Sequence, residues 1–222
     1  MACARHQSDP MTLNHLDHIT VTASSLSEGA AWVSNALGIT PQPGGEHPRM
    51  GTHNLLMRLS ESTFLEIIAI NPAARTPNRP RWFDLDRRAP EAPPALSTWV
   101  VRCEDIHASV VASPEPLGAI EPMSRGALNW LITIPPDGIV PLDGVAPALI
   151  TWSTPEHPAR HMPDSGLALL TWEIHHPEPH RVKSLLASLQ LQTPVRIHAT
   201  PPGTAAHLRA RLQTPYGERV LG

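Results

Sequence analysis

The chain has 222 residues, 41% of them hydrophobic and 17% charged, and a formal net charge of -3. That length buries one sizeable core in one or two compact domains, and the charge balance gives no broad pull toward phosphate backbones or anionic membranes, so a small-molecule partner is expected and nucleic acid and membrane are not. Two cysteines, Cys3 and Cys103, are too few for a disulfide framework or a thiolate zinc site, which fits the cytoplasm.

Residues 1–14 are polar and lack an apolar core of signal-peptide length, so they are expected to form a disordered leader. From there the chain reads as three β-α-β-β type units, over about residues 15–90, 95–155 and 165–222, punctuated by clusters of the 26 prolines. In the first unit, Leu16 to Thr22 alternates with period two, which puts Ile19 and Val21 on one face and His18, Thr20 and Thr22 on the other. An amphipathic helix follows over Ser25 to Leu37, and a polar loop from Gly44 to Asn54 holds Glu46, His47, Arg49 and His53 around three glycines. Strands are expected over His53 to Leu59 and Thr63 to Ile70. The last of these sets Glu66 inside the apolar run Phe64-Leu65-Glu66-Ile67-Ile68-Ala69-Ile70. An unpaired carboxylate there costs several kcal/mol or more, so it must be protonated, paired or metal-bound.

The second unit is expected to run through a strand at Leu96 to Val101, a short helix near Glu104 to Ala112, and strands at Ala127 to Ile134 and Ala148 to Trp152. The third starts at Leu169 to Ile174, continues with a helix over Glu178 to Leu189, and ends in strands at Val195 to Thr200, His207 to Leu212 and Arg219 to Leu221. Face by face, Thr98 and Thr171 stand where the first unit has His18. No Ser-His-Asp order, Walker loop, dinucleotide fingerprint or paired Cys-x-x-Cys is present.

Five segments together resemble the glyoxalase-like domain of the vicinal oxygen chelate superfamily: Leu16-Asp17-His18-Ile19-Thr20-Val21, Gly44-Gly45-Glu46-His47-Pro48, Gly51-Thr52-His53-Asn54, Phe64-Leu65-Glu66-Ile67-Ile68-Ala69 and Arg81-Trp82-Phe83-Asp84-Leu85. The match is specific over the first 90 residues or so and fainter beyond. The resemblance implies an α+β fold of β-α-β-β-β modules whose curved mixed sheets form a cup, with chemistry on a divalent metal such as Zn, Mn, Fe or Ni. It carries His18 and Glu66 onto metal-ligand positions and implies lyase, isomerase, hydrolase or dioxygenase activity without choosing among them. The later units offer threonine at the matching positions, so two ligands do not complete a site.

Candidate residues follow from both readings. His18 and Glu66 are the catalytic and metal-binding candidates, the imidazole as ligand or base and the carboxylate as ligand or base. Glu173 and His175, on the Thr171 face of the third unit, are expected to supply missing ligands or substrate contacts, joined by His47, His53 and Asn54 from the polar loop. Trp130 and Trp152 are candidates for an apolar wall. A metal-free binding protein of the same fold is the alternative to an enzyme, and pairing of the odd third unit across a homodimer is a further expectation.

Overall fold

A computed structural model describes residues 13–222. The first unit comprises β1 (His15–Thr22), α1 (Leu26–Leu37), β2 (Gln42–His47), β3 (Thr52–Ser60) and β4 (Thr63–Ile70). The second comprises β5 (Ala95–Arg102), α2 (Ile106–Ala112), β6 (Ala119–Arg125), β7 (Leu128–Ile134) and β8 (Ala148–Trp152). The third comprises β9 (Ala168–His176), α3 (Pro179–Ser188), β10 (Val195–Ala199), β11 (His207–Thr214) and β12 (Gly217–Leu221). Two helices have clear stop and start signals. The Ser25 hydroxyl accepts from the Glu28 amide at the start of α1, Gly38 closes that helix with φ +75°, and the Asp105 carboxylate caps α2 through the Ala108 amide.

The first two units join through antiparallel β1 and β5 into one eight-stranded sheet of order β2-β3-β4-β1-β5-β8-β7-β6. Each half has the same strand order outward from that seam, with β1 parallel to β4 and β5 parallel to β8. The third unit repeats the order of elements but not of strands. Its separate sheet runs β10-β9-β11-β12, with β9 inside rather than at an end. Two strands were not expected from the sequence, β2 and β6. Both are edge strands and both carry a proline, Pro43 and Pro122, a residue that sheets tolerate at their edges.

One face of the large sheet is covered by the helices and by the inner face of the small sheet. Leu16, Ile19, Val21, Leu65, Ile67 and Trp99 pack there with Trp172, Ile174, Leu208 and Leu212, the Trp99 and Trp172 ring centroids 5.7 Å apart. The opposite face curls into a cup. Its rim edges are tied together where Arg49 donates to the Pro122 carbonyl at 2.8 Å and where both Arg49 and Arg79 pair with Glu121. The mixed α+β architecture of paired modules around a cup is therefore as the resemblance implies. The leader expected over residues 1–14 lies outside the described residues except for Leu13 and Asn14. Asn14 is buried, its amide donating to the Leu189 carbonyl at 2.7 Å and to the Ser109 hydroxyl at 3.1 Å, so the ordered body starts before His15.

The cup is closed by two connections, residues 71–94 and 135–147. Their Trp82, Phe83 and Val140 pack with Ile68, Val100, Trp130, Ile132 and Ile150 from the sheet. Phe83 and Asp84 hold φ of +60° and +56°, unusual for residues with a side chain. The strain is locked by the Asp84 amide donating to the Gly138 carbonyl at 3.0 Å and by the Val140 amide donating to the Asp84 carboxylate at 3.0 Å. Gly138 has φ +75°, and a Cβ there would strike the Arg81 carbonyl. Gly138→Ala is expected to cost about 1–3 kcal/mol, read as a lower urea midpoint at unchanged slope; an unchanged midpoint would mean that this crossing of loops is not held tightly.

Candidate functional site

The pleat of three strands aims the cup's polar groups. On β1, His18 and Thr20 face inward. On β4, Phe64, Glu66 and Ile68 do, while Leu65 and Ile67 go to the helix-side core. Thr20 lies directly opposite Glu66 in the register, and its hydroxyl donates to Glu66 Oε2 at 3.3 Å. The Asn54 amide from β3 donates to Glu66 Oε1 at 2.5 Å. Asn54 Oδ1 in turn accepts from Arg125 Nη1 at 3.0 Å and from the Gly45 amide at 2.9 Å. The glycine pair is needed for this approach, because a Cβ on Gly44 would collide with the Asn54 amide and one on Gly45 would lie 2.7 Å from Arg125 Cδ. Those glycines therefore make room for protein side chains rather than for a ligand.

His18 is held from behind by Asp17. Strict alternation would send Asp17 to the Ile19 side, but the β1–β5 register shifts between Leu16 and His18, and the bulge turns Asp17 toward the neighbouring imidazole. Asp17 is fully buried and accepts from His18 Nδ1 at 2.6 Å, His157 Nε2 at 2.9 Å and Trp152 Nε1 at 2.9 Å, with Arg102 at 3.9 Å. Burial alone would raise its carboxyl, yet hydrogen bonds from His157 and His18 outweigh that and hold it well below the usual carboxylate range. Since that carboxylate accepts from Nδ1, His18 presents Nε2 to the cup, 3.6 Å from Glu66 Oε2. The ring also stacks on Phe64 with centroids 4.4 Å apart.

The remaining lining is His47, Trp82, Phe83, Arg125, Trp130, Ile132, Ile150 and Trp152, around a free volume of about 30 Å³. That admits only the small end of a molecule unless the loop aromatics move. His47 ends β2, bonds Thr52 Oγ1 through Nδ1 at 3.1 Å and meets Trp82 edge-on; burial pushes its imidazole down to about 4, keeping it neutral near pH 7.

The structure thus brings together His18, Glu66, His47 and Asn54, with Trp130 and Trp152 as walls. It does not bring His53, which falls on the strand face opposite Asn54 and is part-exposed. Glu173 and His175 are also elsewhere. They stand on the outer face of the small sheet, whose inner face packs against the back of the cup, so they cannot complete a ligand set with His18. Sequence reasoning missed Asp17, hidden by the bulge, and Arg125, on the unforeseen edge strand β6; the one signal for Arg125 is Gly45, whose missing side chain makes room for it.

The donor set bears on a cup metal. His18 and Glu66 are two protein donors with the right spacing for one ion, but the second-unit groups facing them are Thr98, Ile150 and Trp152, where an imidazole or carboxylate would be needed to reach three. His47 also lines the cup, but among the described residues no third histidine, cysteine or carboxylate joins His18 and Glu66 with donor atoms all within 4.8 Å of one another, so the cup does not fit an ion held by three or more protein side chains.

The fold and the cup are those of the vicinal oxygen chelate proteins. The glyoxalase-like domain profile matches residues 16–190, and the chain belongs to that family. Among solved structures, a hypothetical protein from Staphylococcus aureus is 12% identical with a TM-score of 0.62, covering 87% of this chain and 88% of its own. A methylmalonyl-CoA epimerase from Mycobacterium tuberculosis is 14% identical with a TM-score of 0.41, covering 62% of this chain and 85% of its own. No curated protein sequence matches the chain. Among the described residues no helix is long and apolar enough to cross a membrane.

Proposed function

We propose that the cup binds a small organic molecule carrying two adjacent oxygens and transfers a proton at the carbon beside its carbonyl, within the cytoplasm. The observation that supports this is His18 Nε2 facing Glu66 Oε2 at 3.6 Å, with Asp17 fixing the imidazole from behind. Glu66 takes the proton as general base, and His18, carrying a proton on each ring nitrogen so that Nδ1–H stays on Asp17, donates Nε2–H to the oxyanion that develops on the carbonyl oxygen. Asp17 is a positioning residue, since it reaches the substrate only through His18. Asn54 and Arg125 orient the Glu66 carboxylate, and the guanidinium adds attraction for an anionic substrate end. The aromatic walls exclude water from the pair. A reaction of this kind falls in the lyase or isomerase class, whereas a dioxygenase needs a redox ion that the two-donor set does not hold firmly.

The apolar lining favours a second reading, in which the same cup sequesters a ligand without chemistry. Incubating the protein with a panel of small 2-oxo and 2-hydroxy acids in D₂O, and following carbon-bound deuterium by NMR, separates the two. Enzyme-dependent wash-in that Glu66→Gln abolishes supports proton transfer. Saturable binding with no wash-in, unchanged by Glu66→Gln, rejects it in favour of sequestration. Elemental analysis of the same preparations checks the cup's donor set directly: metal that is stoichiometric in the wild type and lost in His18→Ala/Glu66→Ala would overturn the metal-free route.

A further inference from the structure

The outer face of the small sheet carries a side-chain cluster that the cup does not use. Strand pleat and register assemble it. Glu173 and His175 are two residues apart on β9, and His175 lies directly opposite His198 on β10 and His207 on β11. Glu173 Oε2 is 3.6 Å from His175 Nε2 and 3.7 Å from His198 Nε2, and the three donor atoms all lie within 4.8 Å of one another. Four donors placed tetrahedrally at about 2.1 Å from one ion stand about 3.4 Å apart, so the two carboxylate–imidazole separations need adjustments of a few tenths of an ångström, while the two imidazole nitrogens, within 4.8 Å of each other, close on the ion by a turn of the His198 ring.

Three further observations point the cluster toward a ligand. The Glu173 side chain is only 10% exposed, and its two oxygens are divided in role. Oε1 is engaged by the Thr171 hydroxyl at 3.2 Å and approached by Arg196 at 3.9 Å. Oε2 is left to the two imidazoles. His175 Nε2 is buried and has no hydrogen-bond partner, an orphan that is costly unless something fills the space in front of it. The third donor, His198, is 45% exposed on the edge strand β10, free to turn its ring and close on an ion from outside. Its ring already stacks on His175 with centroids 4.6 Å apart, and His207 stacks on the other side at 4.4 Å.

From this geometry we infer that Glu173, His175 and His198 form a binding site for a divalent transition ion of the zinc type, on the opposite side of the molecule from the cup. Two imidazoles and one carboxylate select such ions over magnesium or calcium, which prefer all-oxygen sets. Thr171 acts as the outer partner that orients the carboxylate. The fourth position opens to solvent past His198. The ion joins β9 to the edge strand β10, so binding is expected to stabilise the fold.

The test is titration of the purified full-length chain with ZnCl₂ alone, read by calorimetry and by thermal melting, with MgCl₂ as comparator. One zinc per chain is expected at this site, with a raised melting temperature and no response to magnesium. His198→Ala, at an exposed edge position that leaves the core untouched, is expected to weaken zinc binding at least about 10-fold and to remove the melting shift. Glu173→Gln, checked for folding by circular dichroism, is expected to do the same, while the His18→Ala/Glu66→Ala variant keeps the site. Cobalt substitution adds a structural readout, an intense visible absorption characteristic of four-coordinate geometry. No saturable zinc binding at micromolar to submillimolar concentration overturns the inference. So does binding that survives both His198→Ala and Glu173→Gln, which would place the ion among the other histidines.

Discussion

Asp17→Asn is expected to cost about 3–5 kcal/mol of folding stability at pH 7, the range for breaking a buried, hydrogen-bonded charge pair. The fully buried carboxylate accepts from three N–H groups, of His18, His157 and Trp152. Asparagine keeps one acceptor oxygen and turns an NH₂ group toward at least one of those donors, leaving it unsatisfied at full desolvation cost. The pH dependence has a definite sign. The folded carboxyl lies below its unfolded value of about 3.9, so its contribution is fully present above that pH and is lost as pH falls through the folded value. Urea midpoints of wild type and variant should therefore differ by a constant amount between pH 7 and about pH 5 and converge below about pH 4. A difference under about 1 kcal/mol at pH 7, or curves that stay parallel into acid, would show that the Asp17 network does not hold the fold.

Glu66→Gln and His18→Gln are each expected to slow the proposed proton transfer by about a hundred- to ten-thousand-fold, the contribution typical of a positioned acid or base. The larger claim concerns the double variant. Because the two groups face one another at 3.6 Å and act on one proton inventory, removing both should be little worse than removing either. Glutamine at 66 keeps an oxygen for the Asn54 amide, so ligand binding should change far less than turnover, and deuterium wash-in beside binding titrations separates the two. Fully additive losses would assign His18 and Glu66 to different steps. Undiminished wash-in in both single variants would move the chemistry away from this pair.

Much of the cup was written in local periodicity. The alternation around His18 put it with Thr20 on one face, and the apolar run around Glu66 demanded a partner; the structure sets Thr20, Asn54 and His18 around that carboxylate. His53 and Asn54 are both substrate candidates by sequence, yet the pleat of β3 sends them to opposite faces and only Asn54 lines the cup. Asp17 escaped because a bulge breaks the period that every strand reading assumes. β2 and β6 escaped because proline and glycine disguise edge strands, and with β6 went Arg125.

The pattern of charges and β-branched residues by itself determined that this chain makes three strand-helix-strand units, that His18 and Thr20 share a polar face, and that Glu66 needs a partner; the resemblance to the glyoxalase-like domain set Glu66 beside His18. These are short-range properties, set by side-chain period and by the cost of burying an unpaired charge. Only the tertiary structure decided which surfaces meet. The second unit joins the first across β1 and β5 and supplies aromatic walls and Arg125, while the third unit turns Glu173 and His175 away from the cup. Nothing local encodes that choice, because it depends on which apolar faces pack together over long sequence separations. In this chain those faces are the helix-side surface of the large sheet and the Trp172, Ile174 and Leu208 face of the small one.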